Sequence, residues 1–212
     1  MFFSFALYLE KFMYINLKFY HDKWFCYCAK IFPSGCQNLK NFAYLCTIRD
    51  KSMRQITQQD HEFMREAIRL ASDSVRHGGG PFGAVIVKDG KVIAGSSNRV
   101  TIDLDPTAHA EVNTIREACR RLGTFDLSGC TIYTSCEPCP MCLGAIYWAH
   151  IDRIYYGNTR KDARAVDFAD DFIYEELDRP MNERTVPIIP LLRDEAQESF
   201  RLWTEKTDKT EY

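Results

Sequence analysis

Two short fragments of this chain constrain its fold more than any other feature. Each places metal-binding side chains at a point where a strand pattern ends and a helix pattern begins. The first is His109-Ala110-Glu111 and the second is Pro138-Cys139-Pro140-Met141-Cys142. Helix N-termini carry unpaired N–H groups and the positive end of the helix dipole, which lower the pKa of a thiol. A Cys-x-x-Cys pair at a helix start can direct both sulfurs at one ion. We therefore expect a fold that brings the two junctions together around a metal.

The residue types in these fragments indicate a catalytic zinc site with one ion per chain. His109, Cys139 and Cys142 supply three ligands, which leaves the fourth position of a tetrahedral zinc ion open for water. Glu111 is a carboxylate that can take a proton from such a water and deliver it to a leaving group. The alternative is a closed structural site that also uses Cys136, but that site leaves Glu111 without a role, and we interpret Cys136 as packing or pocket wall.

Strand and helix patterns alternate along residues 60–206 and predict an α/β fold. Asp89-Gly90 between two β-branched runs is a strong hairpin signal. We expect a three-layer α/β/α sandwich whose mixed central sheet is covered by helices. The predicted helices are 60–76, 108–122, 140–149, 171–177 and 194–206, and the predicted strands are 84–88, 91–94, 131–134, 154–156 and 186–191.

Residues 1–52 differ in pattern from the rest, and we expect a disordered or adventitious extension ahead of a deaminase-like domain at 53–212. The extension carries seven Lys/Arg and three acids, and residues 53–212 carry 20 basic and 26 acidic residues. The absence of a basic excess in the main body favours a small substrate over a nucleic acid. Nine cysteines without a secretion signal favour a reducing cytoplasm, and no segment has membrane-spanning length.

From about Gln59 to Tyr212 the chain resembles the bacterial guanine deaminases of the cytidine-deaminase superfamily. The stretches that carry the resemblance are GGPFGAVIVKDG, DPTAHAEV, YTSCEPCPMCLGAIYWA, FIYEE, ERTVP and the terminal Glu211-Tyr212. The His-x-Glu and Pro-Cys-x-x-Cys signature is shared by the zinc deaminases in general. The stretches around Cys139 and in the C-terminal part are shared by a narrower group of proteins within the superfamily. The resemblance does not reach residues 1–52.

The resemblance implies site residues beyond the metal ligands. Glu111 is then the proton shuttle, and Asp170 and Tyr212 close the pocket over the base. Phe82, Asn98, Ala110 and Glu137 form the expected substrate-binding set. The chain has Phe168-Ala169-Asp170-Asp171 where the family has two acids directly after the phenylalanine. Asp171 therefore remains an alternative to Asp170.

The implied activity is the zinc-dependent hydrolysis of guanine to xanthine and ammonia. The implied assembly is a homodimer that exchanges C-terminal segments. The alternatives are a tRNA adenosine deaminase or another nucleobase or nucleoside deaminase of the same superfamily. An alternative of a different class is a non-catalytic, zinc-stabilised interaction domain, which the intact His109, Glu111, Cys139 and Cys142 disfavour.

Overall fold

The structure, a computed structural model, describes residues 55–211. Our expectations for residues 1–52 and for Tyr212 therefore lie outside the described residues. In the described part the strands are β1 (Gly83–Lys88), β2 (Lys91–Ser97), β3 (Cys130–Cys136) and β4 (Arg153–Asn158). The α-helices are α1 (Gln58–Arg76), α2 (Val100–Asp103), α3 (Ala110–Leu122), α4 (Pro140–Trp148), α5 (Arg160–Arg164), α6 (Asp171–Asp178) and α7 (Arg193–Glu205), and a 3-10 turn spans Met181–Glu183.

Local sequence signals explain where the first elements begin and turn. The α1 helix begins at a capping box in which the Thr57 side chain accepts the Asp60 N–H, and the Asp60 carboxylate accepts the Thr57 N–H. The β1–β2 hairpin turns at Asp89 and Gly90, whose φ angles are 50° and 72°. Both residues lie in the left-handed region that two-residue hairpin turns require, as the Asp-Gly pair predicts.

The sheet is mixed, with strand order β2-β1-β3-β4. The β1 strand pairs antiparallel with β2 and with β3, and β3 pairs parallel with β4. Alternate β1 residues face opposite sides: Ala84 and Ile86 pack in a core with α3 and α4, and Val85 and Val87 pack against α1. The predicted three-layer α/β/α fold is confirmed.

One predicted strand is wrong, and several short helices were not predicted. Residues 186–191 form no strand, because Pro187 and Pro190 cannot donate ladder hydrogen bonds. The helices α2 and α5 have four and five residues, which is too short for a visible helical period. Among the described helices, none combines the length and the apolar character needed to cross a bilayer.

Candidate metal centre and active site

Three side chains from two helix starts meet in a cluster that can bind a metal ion. His109 is the N-cap residue of α3, Cys139 is the N-cap residue of α4, and Cys142 lies in the first turn of α4. His109 Nδ1 lies 3.6 Å from Cys139 Sγ and 3.5 Å from Cys142 Sγ, and the three ligand atoms all lie within 4.8 Å of one another. Cys136 is not part of this cluster but is buried beside it, with its Sγ 3.7 Å from the Thr159 carbonyl oxygen.

The donor set fits zinc, and its electrostatics favour a thiolate. Hydrogen bonding from Cys142 and from His109 lowers the pKa of Cys139 to about 4. The thiolate of Cys139 in turn raises the pKa of His109, and it raises the pKa of Cys142 together with burial and Glu111. One nitrogen and two sulfurs make three protein ligands, which is the arrangement of a catalytic zinc site.

Glu111 lies next to the metal cluster without joining it. Its Oε1 accepts a hydrogen bond of 3.1 Å from the Thr134 hydroxyl, and its Oε2 lies 3.4 Å from Cys142 Sγ. Both Glu111 and Thr134 are buried, and this burial raises the pKa of the Glu111 carboxyl. A carboxyl group with a raised pKa beside a metal can both accept and return a proton.

A cavity of about 810 Å³ opens onto His109, Glu111 and Cys139. One wall is the glycine-rich turn 78–82, another includes Asn98, Val100 and Thr101, and a third is the segment 166–170 with Ile173. The rings of Phe82 and Phe168 meet edge to face, with centroids 4.9 Å apart. The cavity can therefore hold a planar ring with one edge near the metal cluster.

Asn98 is held by hydrogen bonds on several sides. Its Oδ1 accepts the Val100 N–H at 3.2 Å, its carbonyl oxygen accepts the Ser74 hydroxyl at 3.0 Å, and its N–H donates to the Phe82 carbonyl at 2.9 Å. These bonds leave the Nδ2 amide of Asn98 as the group that can donate to a ligand. The turn packs closely here, since a Cβ on Gly80 would lie 3.1 Å from the Asn98 side chain.

The structure separates the two acids that the sequence left as alternatives. Asp170 lines the cavity, and its buried Oδ1 accepts no hydrogen bond from the part of the chain that the structure describes. Burial raises the pKa of Asp170, and the negative charge of Cys139 adds to this effect. Asp171 instead forms an ion pair with Arg164. Asp170 is therefore the acid in position to meet a ligand.

The structure places Ala110 and Glu137 differently with respect to the cavity. Ala110 is fully buried in the core, and it is absent from the cavity lining. Glu137 lines the cavity, but its Oε1 accepts bonds of 2.8 and 3.2 Å from the Arg160 guanidinium, and its Oε2 accepts the Arg160 N–H at 3.1 Å. These bonds lower the pKa of Glu137.

Sequence reasoning missed several groups that shape the site. Thr134 holds Glu111, the glycine-rich turn forms a cavity wall, and Arg160 holds Glu137. A glycine run without a Lys-Ser/Thr sequence does indicate close backbone approach, so the turn had a usable signal. Thr134 and Arg160 had none, because their partners are distant in sequence.

Comparison with known proteins places the chain in a family. Residues 57–158 match the profile of the cytidine and deoxycytidylate deaminase zinc-binding region. The chain is 51% identical to the guanine deaminase of Bacillus subtilis over 155 residues, which cover 72% of this chain and 99% of that protein. It is 41% identical to a tRNA-specific adenosine deaminase of the same organism over 99 residues, which cover 47% of this chain and 62% of that protein.

A solved structure agrees with the sequence comparison. The crystal structure of guanine deaminase from Bacillus subtilis covers 74% of this chain and 99% of its own, with 49% identity and a TM-score of 0.71. The chain belongs to the zinc-binding cytidine and deoxycytidylate deaminase family. The cluster of His109, Cys139 and Cys142 can hold the zinc ion of this family, and His109 and Glu111 match the His-x-Glu part of the zinc-deaminase signature.

Proposed function

We propose that this protein is a zinc-dependent guanine deaminase, which converts guanine and water to xanthine and ammonia. The observation that carries the proposal is the 51% identity over 99% of the Bacillus subtilis guanine deaminase. That match is longer than the zinc-binding region at 57–158, so the similarity is not limited to the part that all deaminases share.

The metal cluster and Glu111 account for the activation of water and the proton transfers. His109, Cys139 and Cys142 would hold a zinc ion, which would lower the pKa of a water molecule and so supply a nucleophile near neutral pH. Glu111 takes one proton of that water and passes it to the ring nitrogen beside the attacked carbon. It then takes the remaining hydroxyl proton and passes it to the amine, so that the carbon keeps the oxygen as a carbonyl and ammonia leaves. The raised pKa of Glu111 suits a group that must hold each proton between its acceptance and its release.

The residues of the opposite walls bind the base. The Asn98 Nδ2 amide donates to an acceptor on the purine edge, and its fixed Oδ1 prevents the amide from turning over. The Phe82 ring contacts the plane of the base. The free Oδ1 of Asp170 accepts from the exocyclic amine, which directs that amine toward its exit as ammonia.

The activity test uses purified, zinc-loaded full-length protein. Xanthine and ammonia should appear in equal amounts from guanine, with much slower release of ammonia from cytidine and from the adenosine of a tRNA anticodon stem-loop. A preference for the tRNA substrate would establish the tRNA deaminase instead, although residues 53–212 carry six more acidic than basic residues. If none of the three substrates releases ammonia, the result would favour the alternative of a non-catalytic, zinc-stabilised interaction domain.

The proposed assembly is a homodimer that exchanges C-terminal segments. None of the residues of α7 is buried, and Phe200 is 69% exposed. The segment before α7 leaves Ile189 and Leu191 about four-fifths exposed as well, at 80% and 82%. Apolar surface of this extent favours burial against a second copy. In the proposed dimer, Tyr212 reaches the partner's pocket and closes it together with Asp170.

The proposed location is the cytoplasm. The five cysteines in the described part of the chain are all free, including two outside the zinc site and the cavity, Cys119 and Cys130. Free thiols of this kind persist in a reducing compartment. A small purine is a diffusible cytoplasmic substrate, so neither a membrane nor a nucleic acid is needed as a partner.

A further inference from the structure

The α6 helix, which follows the pocket acid Asp170, has little packing to hold it. None of its residues is buried, and Phe172 and Leu177 are more than half exposed. The segment that precedes it, 166–170, nevertheless forms one wall of the cavity. A wall built from such an element needs other contacts to keep its place.

Arg160, at the start of α5, provides contacts on one side of this wall. Its guanidinium donates two hydrogen bonds to Glu137 Oε1, and its backbone N–H donates to Glu137 Oε2. Glu137 also binds the end of β4, just before Arg160, because the Glu137 N–H donates to the Asn158 carbonyl at 2.8 Å. Arg160 is thus attached to the loop that leads from β3 into the metal ligand Cys139.

The same guanidinium reaches α6. Its central carbon lies 4.5 Å from the centroid of the Tyr174 ring, within the range of a cation–π contact. The Tyr174 hydroxyl donates to the Pro138 carbonyl at 3.0 Å. One turn further along α5, Arg164 pairs with Asp171 at the first residue of α6. Two arginines of α5 therefore hold α6, and Asp170 lies directly before the residue that Arg164 holds.

We propose that Arg160 is a positioning residue that ties helix α6, and with it the wall that carries Asp170, to the loop before Cys139. The proposal rests on guanine deamination as the activity of this site. An exposed ion pair usually contributes little, but here one guanidinium joins a carboxylate and an aromatic ring from two different elements. Arg160 belongs neither to the metal cluster nor to the residues that line the cavity.

This role predicts which kinetic constant changes. The zinc ligands and Glu111 belong to α3 and α4, which pack in the main core, so the chemical step keeps its geometry without Arg160. The α6 wall must then be ordered by the substrate itself, which weakens binding in the ground state and the transition state alike. Such a loss raises KM and leaves kcat nearly unchanged.

The experiment compares Arg160→Gln with Arg160→Lys in the zinc-loaded full-length protein. We expect KM for guanine to rise about tenfold in Arg160→Gln, kcat to change by less than about threefold, and zinc content to stay the same. Lysine keeps the cation over Tyr174 but loses the planar fork, so KM should lie between those of the wild type and the glutamine variant.

Arg69→Gln is the matched control. Arg69 makes a two-pronged pair with Glu66, at 2.7 and 2.8 Å, on the exposed face of α1 and outside the cavity lining. An unchanged KM in Arg160→Gln, an equal rise in Arg69→Gln, a loss of zinc, or a fall in kcat as large as the rise in KM would each overturn the proposal.

Hydrogen exchange separates a failure of this proposal from a failure of the proposed activity. Amides of residues 171–178 should exchange faster in Arg160→Gln than in wild type or Arg69→Gln, whatever the substrate is. If wild-type protein does not deaminate guanine but this difference appears, the tether stands and the activity is wrong. If exchange in α6 is unchanged, the tether is wrong.

Discussion

Replacing Glu111 with glutamine tests the proton shuttle with little change in shape. A glutamine side chain still offers an oxygen to the Thr134 hydroxyl, which donates to Glu111 Oε1 at 3.1 Å. The metal ligands are untouched, because Glu111 is not one of the three clustered residues. The amide cannot take a proton from water, so the substitution removes the chemistry and keeps the packing.

The expected loss follows from the size of general acid–base catalysis. One positioned acid–base group contributes about two to four powers of ten in rate, which corresponds to about 3 to 5 kcal/mol in the activation barrier. Glu111 serves both proton transfers in the proposed mechanism, so we expect the upper part of that range. Because Glu111 acts in the transition state and does not bind the base, kcat should fall and KM should change little.

Although Glu111→Gln should lower kcat, it should not lower the stability of the zinc-free protein. Burial raises the pKa of Glu111 above its value in the unfolded chain, so the folded protein holds this proton more tightly. The resulting linkage destabilises the fold as pH rises above the unfolded value near 4.5. Glutamine carries no charge, so the zinc-free variant should be at least as stable as zinc-free wild type at pH 7, and the difference should shrink toward pH 4.

Three measurements decide this prediction: steady-state turnover of guanine, zinc per chain by metal analysis, and urea unfolding of the zinc-free proteins between pH 5 and 8. Near wild-type turnover in a glutamine variant that retains one zinc would refute the shuttle. Thr134→Ser, which keeps the hydroxyl beside Glu111, serves as the control for small changes at this buried position. A less stable zinc-free glutamine variant at pH 7 would refute the linkage argument.

Four further changes have separate expected outcomes. The double variant Cys139→Ala/Cys142→Ala should lose its zinc and unfold more readily, and full zinc occupancy by metal analysis would contradict the ligand set. Removal of Tyr212 alone, and separately Asp170→Ala, should each lower guanine turnover strongly with zinc and dimerisation unchanged; wild-type turnover without Tyr212 would exclude its role as a lid. Deletion of residues 1–52 should leave folding and activity intact, and an insoluble or inactive truncated chain would disprove this.

The parts of the site that sequence could predict are those with a local cause. A histidine or cysteine at a helix N-cap can be read from the residues on either side, so the cluster of His109, Cys139 and Cys142 was predicted with its helix starts. The Asp89-Gly90 turn was predictable for the same reason, since its left-handed backbone is encoded in two residues.

The parts that could not be predicted depend on contacts between distant residues. The bond from Thr134 to Glu111 joins positions 23 apart, and Arg160 meets Glu137 across the same separation. Neither pair leaves a local pattern. The strand predicted at 186–191 is wrong for another reason: its β-branched residues favour a strand, but Pro187 and Pro190 cannot donate ladder hydrogen bonds.

The two halves of the site differ in packing, and this difference assigns them different tasks. The zinc ligands need fixed geometry, and they stand on α3 and α4, which each bury residues in the protein core. The wall that carries Asp170 precedes α6, which buries none and is held by polar contacts. A cavity closed by so lightly packed a wall can open for substrate and product without disturbing the metal. Substitutions in the wall should therefore lower guanine binding or turnover with zinc retained, whereas substitutions of the metal ligands should remove the zinc itself.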